Sequence, residues 1–206
     1  MDKLNHIFSH GHDYVQIGNT KWATMNVGAK SVTDVGLFFA WGDIIGDKPY
    51  NGGCMTKKTF NGDTYKWAPI RNPKKYNEND NLTTLQPEDD PVHAQWRGGW
   101  RTPTIKEFSE LLKLTKQLFT ENYKNSGVGG FIFIYGDKEL FFPLSGYVDG
   151  LKNVHKNALG AYWLSNHDKH DHACAYYYFF DTGTIRANYG PAMRYFGFPI
   201  RGVLAN

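Results

Sequence analysis

The sequence predicts an α+β fold made of short antiparallel strands in irregular sheets, with one or two helices and long loops. Glycine is frequent, with 22 residues, and Tyr, Phe and Trp make up 16% of the 206-residue chain. Such a composition favours short strands joined by turns and irregular loops. Helical periodicity is scarce, and one segment alone combines a start signal with a long apolar stripe. At this length we expect one large domain, spanning residues 1–206.

The clearest helix begins after Thr104. This residue is a suitable N-cap, and Glu107, three residues later, completes a capping box. One helical stripe then contains Phe108, Leu111, Leu112, Thr115, Leu118 and Phe119. The stripe predicts a helix that ends by 122–125. A weaker second helix is predicted at 87–95, where a proline and three acidic residues suit a helix start.

Strands are predicted where apolar residues alternate, or run between turns that contain glycine. The predicted strands are 12–17, 21–25, 130–135, 139–143, 145–148, 161–165, 173–180 and 197–203. Between 43 and 80 the chain is polar and rich in Gly, Asn and Pro, with one short strand predicted at 64–67. A loop of this length inside a domain usually has a function or is partly disordered.

The last fifty residues differ in composition from the rest of the chain. Segment 157–206 contains no Glu, no Gln and one Lys, whereas the whole chain has six Glu, four Gln and seventeen Lys. The same segment holds eleven of the 33 aromatic residues. Tyrosine offers a large contact area with few torsions to freeze, and short polar side chains adapt their hydrogen bonds. This composition is typical of a recognition surface, since a plain solvated surface carries many Lys and Glu.

The predicted strand at 173–181 has two different faces, because side chains alternate sides along a strand. One face carries Cys174, Tyr176, Tyr178 and Phe180. We expect that face to be core, since every residue on it is apolar or aromatic. The other face runs into the turn at Asp181, so we expect Tyr177 and Phe179 at or near the surface, with a strand buried on both sides as the alternative.

Charge and hydropathy exclude several classes of partner. The net charge is +3, the isoelectric point is about 8.7 and the basic residues are scattered, so no nucleic-acid surface is predicted. No apolar run is long enough to span a membrane. The N-terminus lacks the apolar core of a signal peptide, so we expect a cytoplasmic protein, or one carried in a virion.

Three histidines and two aspartates lie close together from His167 to His172. Such a tract can bind a transition metal, but metal sites usually take ligands from separate elements and need supporting partners. We therefore predict a solvated or ligand-contacting loop, with no metal and no other cofactor.

The two cysteines are Cys54 and Cys174, and the sequence leaves open whether they pair.

No catalytic motif is recognisable in the chain. It has no phosphate-binding glycine loop, no nucleophile elbow and no His-Glu-x-x-His helix. The glycine-rich stretch 127–130 precedes a strand, and the acidic residues 88–90 suit a helix start. We therefore predict that the protein is not an enzyme.

A series of sequence blocks resembles one known family in order along nearly the whole chain. The blocks are 14–15, 20–29, 39–43, 87–90, 96–104, 107–108, 142–147, 160–165 and 197–203. The Gly-Gly-Trp-Arg-Thr-Pro-Thr block and the closing Gly-Phe-Pro-Ile-Arg-Gly-Val block are the most specific. They are similar to the C-type-lectin-like domains common in gut bacteria and their phages. The resemblance implies the C-type lectin fold, with the N-terminal strand pairing near the C-terminal strand. It also implies a core that contains Trp22, Trp41, Trp100, Phe142, Trp163 and Phe198.

The chain further resembles the subset of this family whose C-terminal segment is rewritten by a diversity-generating retroelement. In that subset, adenine-directed mutagenesis changes adenine-rich codons between two fixed frames. The usual asparagine codon reaches Tyr, His, Asp, Asn, Ala, Arg and Phe, but not Lys, Glu, Gln, Met or Trp. The resemblance makes 157–203 the candidate variable region, within which Lys169 and Met193 must be fixed or encoded by other codons. Calcium-dependent sugar binding is not implied, because the carboxylate-amide loop that it requires is absent from the sequence.

We predict a phage-encoded, ligand-binding display protein whose partner is an unknown protein or surface glycan. The predicted ligand-binding residues lie between the two frames and are His167, Asp168, His170, Asp171, His172, Tyr177, Phe179, Asp181, Arg186, Asn188, Tyr189 and Tyr195. Tyr and Arg are enriched among the residues that dominate binding energy. Two alternatives stay open. One is a non-diversified structural or interaction module of the same fold in a bacterial surface or virion assembly, and the other is an enzyme or metalloprotein centred on the histidine tract.

Overall fold

The computed structural model describes residues 7–9, 11–49, 55, 59–183 and 186–204. The strands are, in chain order, β1 (Ile7–Ser9), β2 (His12–Ile17), β3 (Thr20–Asn26), β4 (Trp100–Arg101), β5 (Lys116–Thr120), β6 (Gly130–Tyr135), β7 (Lys138–Pro143), β8 (Tyr147–Asp149), β9 (Lys152–Val154), β10 (Leu159–His167), β11 (Cys174–Asp181), β12 (Arg186–Met193) and β13 (Arg201–Leu204). The α-helices are α1 (Pro91–Trp96) and α2 (Ile105–Leu114). Antiparallel strands with few helices confirm the predicted α+β class. No helix in the described ranges has the length and apolar character that a bilayer crossing requires.

The largest sheet brings the two ends of the described chain together. Its strand order is β1-β2-β3-β13-β4, and Val203 of β13 lies opposite Trp22 of β3. The N-terminal strand β2 lies one strand away from β13 in this sheet, so the prediction that it pairs near the C-terminal strand is confirmed. The strand predicted at 197–203 begins only at Arg201, because the preceding residues make isolated bridges to other segments.

Arg201 holds this closing strand against its neighbours. Its side chain is fully buried, and its guanidinium donates hydrogen bonds to the main-chain oxygens of Ala23, Thr24 and Phe141. It also donates to Asn26 Oδ1 at 2.7 Å. Burial lowers the pKa of Arg201, but the four acceptors satisfy a charge that would otherwise be costly in the core.

Helix α2 starts as predicted but ends earlier. Thr104 accepts from the Glu107 main-chain nitrogen, and the Glu107 carboxylate accepts from the Thr104 main-chain nitrogen, which forms the capping box. The predicted continuation to 122–125 is wrong, because the helix ends at Leu114 and 116–120 form β5, which pairs with β6. Carbonyl oxygens in the last turn of a helix have no partner within the helix. Thr115 Oγ1 and Gln117 Nε2 donate hydrogen bonds to two of these oxygens, which stabilises the helix end at Leu114.

The predicted helix at 87–95 is divided in two. A 3₁₀ turn spans Pro87–Asp89, and α1 follows, with the Asp90 carboxylate accepting from the main-chain nitrogens of Val92 and His93. Asp90 also accepts from the main-chain nitrogen and the hydroxyl of Thr102, so one buried carboxylate fixes both the helix start and the approach to β4. Burial raises the pKa of Asp90 in spite of these bonds.

Two apolar clusters lie on opposite sides of strands β10 and β11. One contains Trp41, Trp100, Trp163 and Phe198, and the other contains Trp22, Phe142, Tyr178 and Phe180. All six framework aromatics predicted to be core are at most 2% exposed. That prediction is confirmed.

The long polar excursion contains turns and no regular strand in its described part, so the strand predicted at 64–67 is absent. Asp89 anchors the excursion, because its carboxylate accepts from Lys66 Nζ, Lys75 Nζ and the Tyr76 hydroxyl. Arg194, fully buried, donates to the main-chain oxygens of Lys75 and Tyr76. The excursion is therefore tied to the chain segment that follows β12.

Candidate functional site

Strands β10, β11 and β12 form a small antiparallel sheet in that order, and it carries most of the predicted ligand-binding residues. In the register of β11 and β12, Tyr177 lies opposite Gly190 and Phe179 lies opposite Asn188. Directly opposite residues project to the same side of a sheet. Tyr177, Phe179 and Asn188 therefore share one face, which we name the Tyr177 face.

The opposite side, the Tyr178 face, is core over the C-terminal half of β11 and open over β12. Tyr178 and Phe180 are fully buried, and the ring of Tyr178 stacks on Phe108 of α2 at 4.4 Å between centroids. Tyr189 lies opposite Tyr178 yet is 38% exposed, because β12 is the edge strand of this sheet. Its neighbour on this face is Tyr176, with ring centroids 6.2 Å apart.

The face that we predicted to be entirely core is therefore only half covered. Tyr178 and Phe180 are buried, whereas Cys174 and Tyr176 are half-exposed. Helix α2 reaches the C-terminal half of β11 through Phe108. The N-terminal half lies at the loop 168–173 and has no comparable aromatic cover among the described residues.

The Tyr177 face carries a chain of aromatic rings that continues beyond the sheet. Its half-exposed members, which we name the aromatic ledge, are Tyr147, Tyr177, Phe179, Tyr195 and Phe196. Consecutive ring centroids are 4.9 Å apart from Tyr195 to Phe196, 5.3 Å from Phe196 to Tyr147 and 5.4 Å from Tyr177 to Phe179. Buried Phe198 joins the two parts, at 5.7 Å from Tyr147 and 4.8 Å from Tyr177.

A close backbone contact fixes the ledge. Val148 and Gly197 exchange main-chain hydrogen bonds of 2.8 and 2.9 Å, which brings β8 against the segment that carries Phe196 and Phe198. A Cβ atom at Gly197 would lie 2.8 Å from the Phe60 ring and 3.0 Å from Val148 Cβ. Only glycine fits this approach without displacing a neighbour.

Two tyrosines of the ledge, Tyr177 and Tyr195, are hydrogen-bond donors at neutral pH. Burial, followed by the nearby Tyr147 hydroxyl, raises the pKa of Tyr177. Burial, followed by the Asp149 carboxylate, raises the pKa of Tyr195. The surface thus offers apolar ring faces together with neutral hydroxyls, the combination found at many protein interfaces.

Polar residues lie at one end of the Tyr177 face. Asp181 is half-exposed, and its carboxylate accepts from the Gly183 main-chain nitrogen at 2.7 Å. Asn188 is exposed, and its side-chain oxygen accepts from the Tyr189 main-chain nitrogen. Arg186 pairs with Asp181 in the register, while the side chain of Arg186 lies outside the described residues. Asp181 and Asn188 are thus brought together with Tyr177 and Phe179.

The histidine tract begins at His167, the last residue of β10, continues into the β10–β11 connection and divides into buried and exposed residues. His167 and Asp168 are each 7% exposed, whereas His170 and Asp171 are exposed. His167 Nδ1 lies 3.0 Å from the Asp168 main-chain oxygen. Burial lowers the pKa of His167, so the ring favours the neutral form. Two of the predicted ligand-contacting residues are therefore packed inside the protein.

The exposed part of the tract is a turn that its own carboxylates organise. Asp168 accepts from the main-chain nitrogen of His170, and Asp171 accepts from that of Ala173. His172 is half-buried, with its Nδ1 atom lacking a hydrogen-bond partner in the described structure. Within the described ranges, no three His, Cys, Asp or Glu side chains come together as a metal-binding group.

Cys174 carries a free thiol beside this turn, and Cys54 lies outside the described residues. The thiol is 3.6 Å from Asp171 Oδ2. Burial, followed by the negative charge of Asp171, raises the pKa of Cys174 to about 11. The thiol is therefore protonated at neutral pH, which disfavours the nucleophilic thiolate.

Tyr195 also borders the excursion. A Cβ atom at Gly62 would lie 3.7 Å from Tyr195 Cδ1. The adjoining surface has a depression of about 570 Å³ lined by Gly62, Asp63, Ala68, Pro69, Ile70 and Arg71. The excursion thus extends the surface that begins at the ledge.

The sequence prediction missed two ledge residues, Tyr147 and Phe196. Tyr147 belongs to the framework block 142–147, and Phe196 lies in the aromatic-rich last fifty residues. Aromatic residues in these positions could have indicated a binding surface. Their exposure, however, depends on the contact between Val148 and Gly197, which no local sequence pattern indicates.

Comparison with known proteins gives no further identification. The chain matches no protein-family model, no curated protein sequence and no solved structure.

Proposed function

We propose that this chain is a ligand-binding protein of the C-type lectin fold, with a retroelement-diversified binding face in segment 157–203. The observation that carries the proposal is the aromatic ledge, a half-exposed ring surface built on a buried framework. Contiguous exposed apolar patches larger than about a few hundred Å² are rare on monomeric proteins and mark interaction sites. The partner is a protein or a surface glycan.

The division between framework and ledge supports diversification. Trp163 and Phe198, from the two fixed frames, are at most 2% exposed and support Tyr177 from below. Tyr177 and Phe179 are the half-exposed layer on top of them. A diversified site requires such a layer, because its residues must be replaceable without unfolding the protein. Substitutions at the surface usually change the free energy of unfolding by no more than about 0.5 kcal/mol.

The fold assignment within this proposal has independent support. The closing strand β13 pairs with β3, as the resembling family closes, and the Gly-Gly-Trp-Arg-Thr-Pro-Thr block supplies β4 and the α2 cap. The family's framework aromatics are all buried. The C-type lectin assignment rests on these agreements together with the sequence blocks.

The gene neighbourhood tests the proposal. We expect a reverse transcriptase gene nearby, and a near-copy of the codons for 157–203 that carries adenines where the two copies diverge. The divergent codons should include those for Tyr177, Phe179 and Asn188, and should exclude those for Trp163 and Phe198. A neighbourhood without a reverse transcriptase or a second copy would contradict diversification and favour the non-diversified module.

A further inference from the structure

Three rings of the ledge form a corner at its centre. Phe196 lies between Tyr147 and Tyr195, and the ring planes are inclined by 50° and 71°. Rings at such angles do not stack as a flat sheet, and together they form a concave corner. All three side chains are half-exposed.

A carboxylate lies at the same corner. The antiparallel bridge between Val148 and Gly197 places the next residues, Asp149 and Phe196, opposite each other. Asp149 is exposed, and it lies close enough to Tyr195 for its charge to contribute to the raised pKa of that hydroxyl, after the larger effect of burial. The corner therefore combines the negative charge of Asp149 with the π-electron density of the aromatic rings.

Two basic residues lie near this corner, Lys152 and His155. The groups that act on the hydroxyls of Tyr177 and Tyr195 are other hydroxyls, Asp149 and the Cys174 thiol, with no Lys or Arg among them. Lys152 faces Asp149 across the β8–β9 pair, but the two form no ion pair among the described contacts. His155 remains as a basic neighbour, with its ring 5.9 Å from that of Tyr147.

The corner is complementary to a primary ammonium group. Ring faces attract cations within about 6 Å of their centroids. The Asp149 carboxylate and the tyrosine hydroxyl oxygens are acceptors, and an ammonium group carries three donors to meet them. A quaternary ammonium group has no donor for these acceptors, and a guanidinium fork is best matched by a paired carboxylate or phosphate.

We propose that the corner of Tyr147, Asp149, Tyr195 and Phe196 binds a lysine side chain of a partner protein. The proposal rests on the ligand-binding function proposed above and names the group recognised. The proposed site lies outside the histidine tract, in which His167 and Asp168 are buried.

The test titrates the full-length protein with N-acetyl-lysine methylamide and follows the aromatic NMR resonances. We expect saturable shifts confined to the corner rings, which weaken as salt concentration rises. The matched probe is N-acetyl-norleucine methylamide, which has the same stem without the ammonium group and should bind at least about fivefold more weakly. The arginine and trimethyl-lysine analogues should also bind more weakly than lysine.

Three substitutions sharpen the test. Asp149→Asn should weaken lysine binding about threefold to fivefold, while Asp137→Asn in the exposed β6–β7 turn should leave it unchanged. Tyr195→Phe keeps the ring and should retain most of the binding. Shifts of equal size with norleucine, no saturation with lysine, or equal binding by Asp149→Asn would each overturn the proposal. None of these results bears on whether the segment is diversified, which the gene neighbourhood decides.

Discussion

The two faces of β11 carry similar residues but have different surroundings. Tyr178 and Phe180 are fully buried on one face, and Tyr177 and Phe179 are half-exposed on the other. All four are aromatic, so residue type does not decide which ring is core. The difference arises from what covers each face, and it separates a framework side from the side that we propose for recognition within one strand.

The covering elements explain the contrast. Phe180 contacts four aromatic rings from α2, β6 and β7, among them Phe131 at 5.2 Å and Phe142 at 5.4 Å. Phe179 has a ring contact with Tyr177, its neighbour on the same strand face. The C-terminal half of the Tyr178 face is thus covered by a helix and a hairpin, whereas the rings of the Tyr177 face are backed by Trp163 and Phe198 and stay half-exposed.

Truncation of one ring on each face should give the largest contrast. Phe180→Ala should lower the free energy of unfolding by about 3–5 kcal/mol, because it leaves a cavity among packed rings. Phe179→Ala should cost about 1 kcal/mol or less, since a half-exposed ring loses little buried contact. Urea unfolding of both variants measures the difference. Equal losses would mean that both faces are core.

A pair of glycine substitutions tests how the ledge is anchored. Gly197→Ala should cost about 1–3 kcal/mol, because the new methyl group would overlap Phe60 and Val148. Gly190→Ala, on the Tyr177 face of β12, is the matched control, because its Cβ would lie 3.9 Å from the Phe179 ring. Thermal unfolding should show a clear drop for the first variant and little change for the second. The anchor would be disproved by a Gly197→Ala protein as stable as the control.

Two buried tyrosines on the framework side differ in how their hydroxyls are satisfied. The Tyr162 hydroxyl donates to the Pro143 main-chain oxygen at 2.6 Å, whereas the buried Tyr178 hydroxyl has no partner among the described residues. Tyr162→Phe should therefore lose about 1 kcal/mol, and Tyr178→Phe should be neutral or more stable. Chemical unfolding of the two variants checks the sign. A loss in Tyr178→Phe as large as that in Tyr162→Phe would show that its hydroxyl is bonded after all.

The smallest effect is expected at the edge strand. Tyr189 is exposed, so Tyr189→Ala should change the free energy of unfolding by no more than about 0.5 kcal/mol. Tyr177→Ala should cost more than Tyr189→Ala, because Tyr177 stacks on buried Phe198 at 4.8 Å. Unfolding midpoints with unchanged denaturant slopes would establish the order. If Tyr189→Ala unfolds the domain, the edge strand is part of the framework.

Local signals in the sequence predicted the elements that depend on local chemistry. The capping box of Thr104 and Glu107 fixed the start of α2, and glycine at 136 marked the β6–β7 turn. The end of α2 was not predictable in this way. Leu118 and Phe119 continue the helical stripe in sequence, but they pair with Ile132 and Phe131 of β6, so tertiary contacts override the pattern.

The sequence predicted only part of the candidate site, again because local signals do not report tertiary contacts. The composition of the last fifty residues indicated a recognition surface, and the alternation along β11 placed Tyr177 and Phe179 on one face. The sequence did not predict strand β12, because Gly190 and Pro191 interrupt the alternating pattern of a strand. The strand is recognisable only from its pairing with β11. The burial of His167 and the exposure of Phe196 depend on contacts with distant segments, which composition cannot report.

The central claim is that one face of β11 is framework and the other is a variable binding surface. Sequencing codons 173–181 in many copies of the gene from one natural population tests it most directly. The account predicts changes at Tyr177, Phe179 and Asp181, with Tyr178 and Phe180 constant, which gives a period of two along the strand. Changes spread equally over both faces, or no changes at any of these codons, would contradict it.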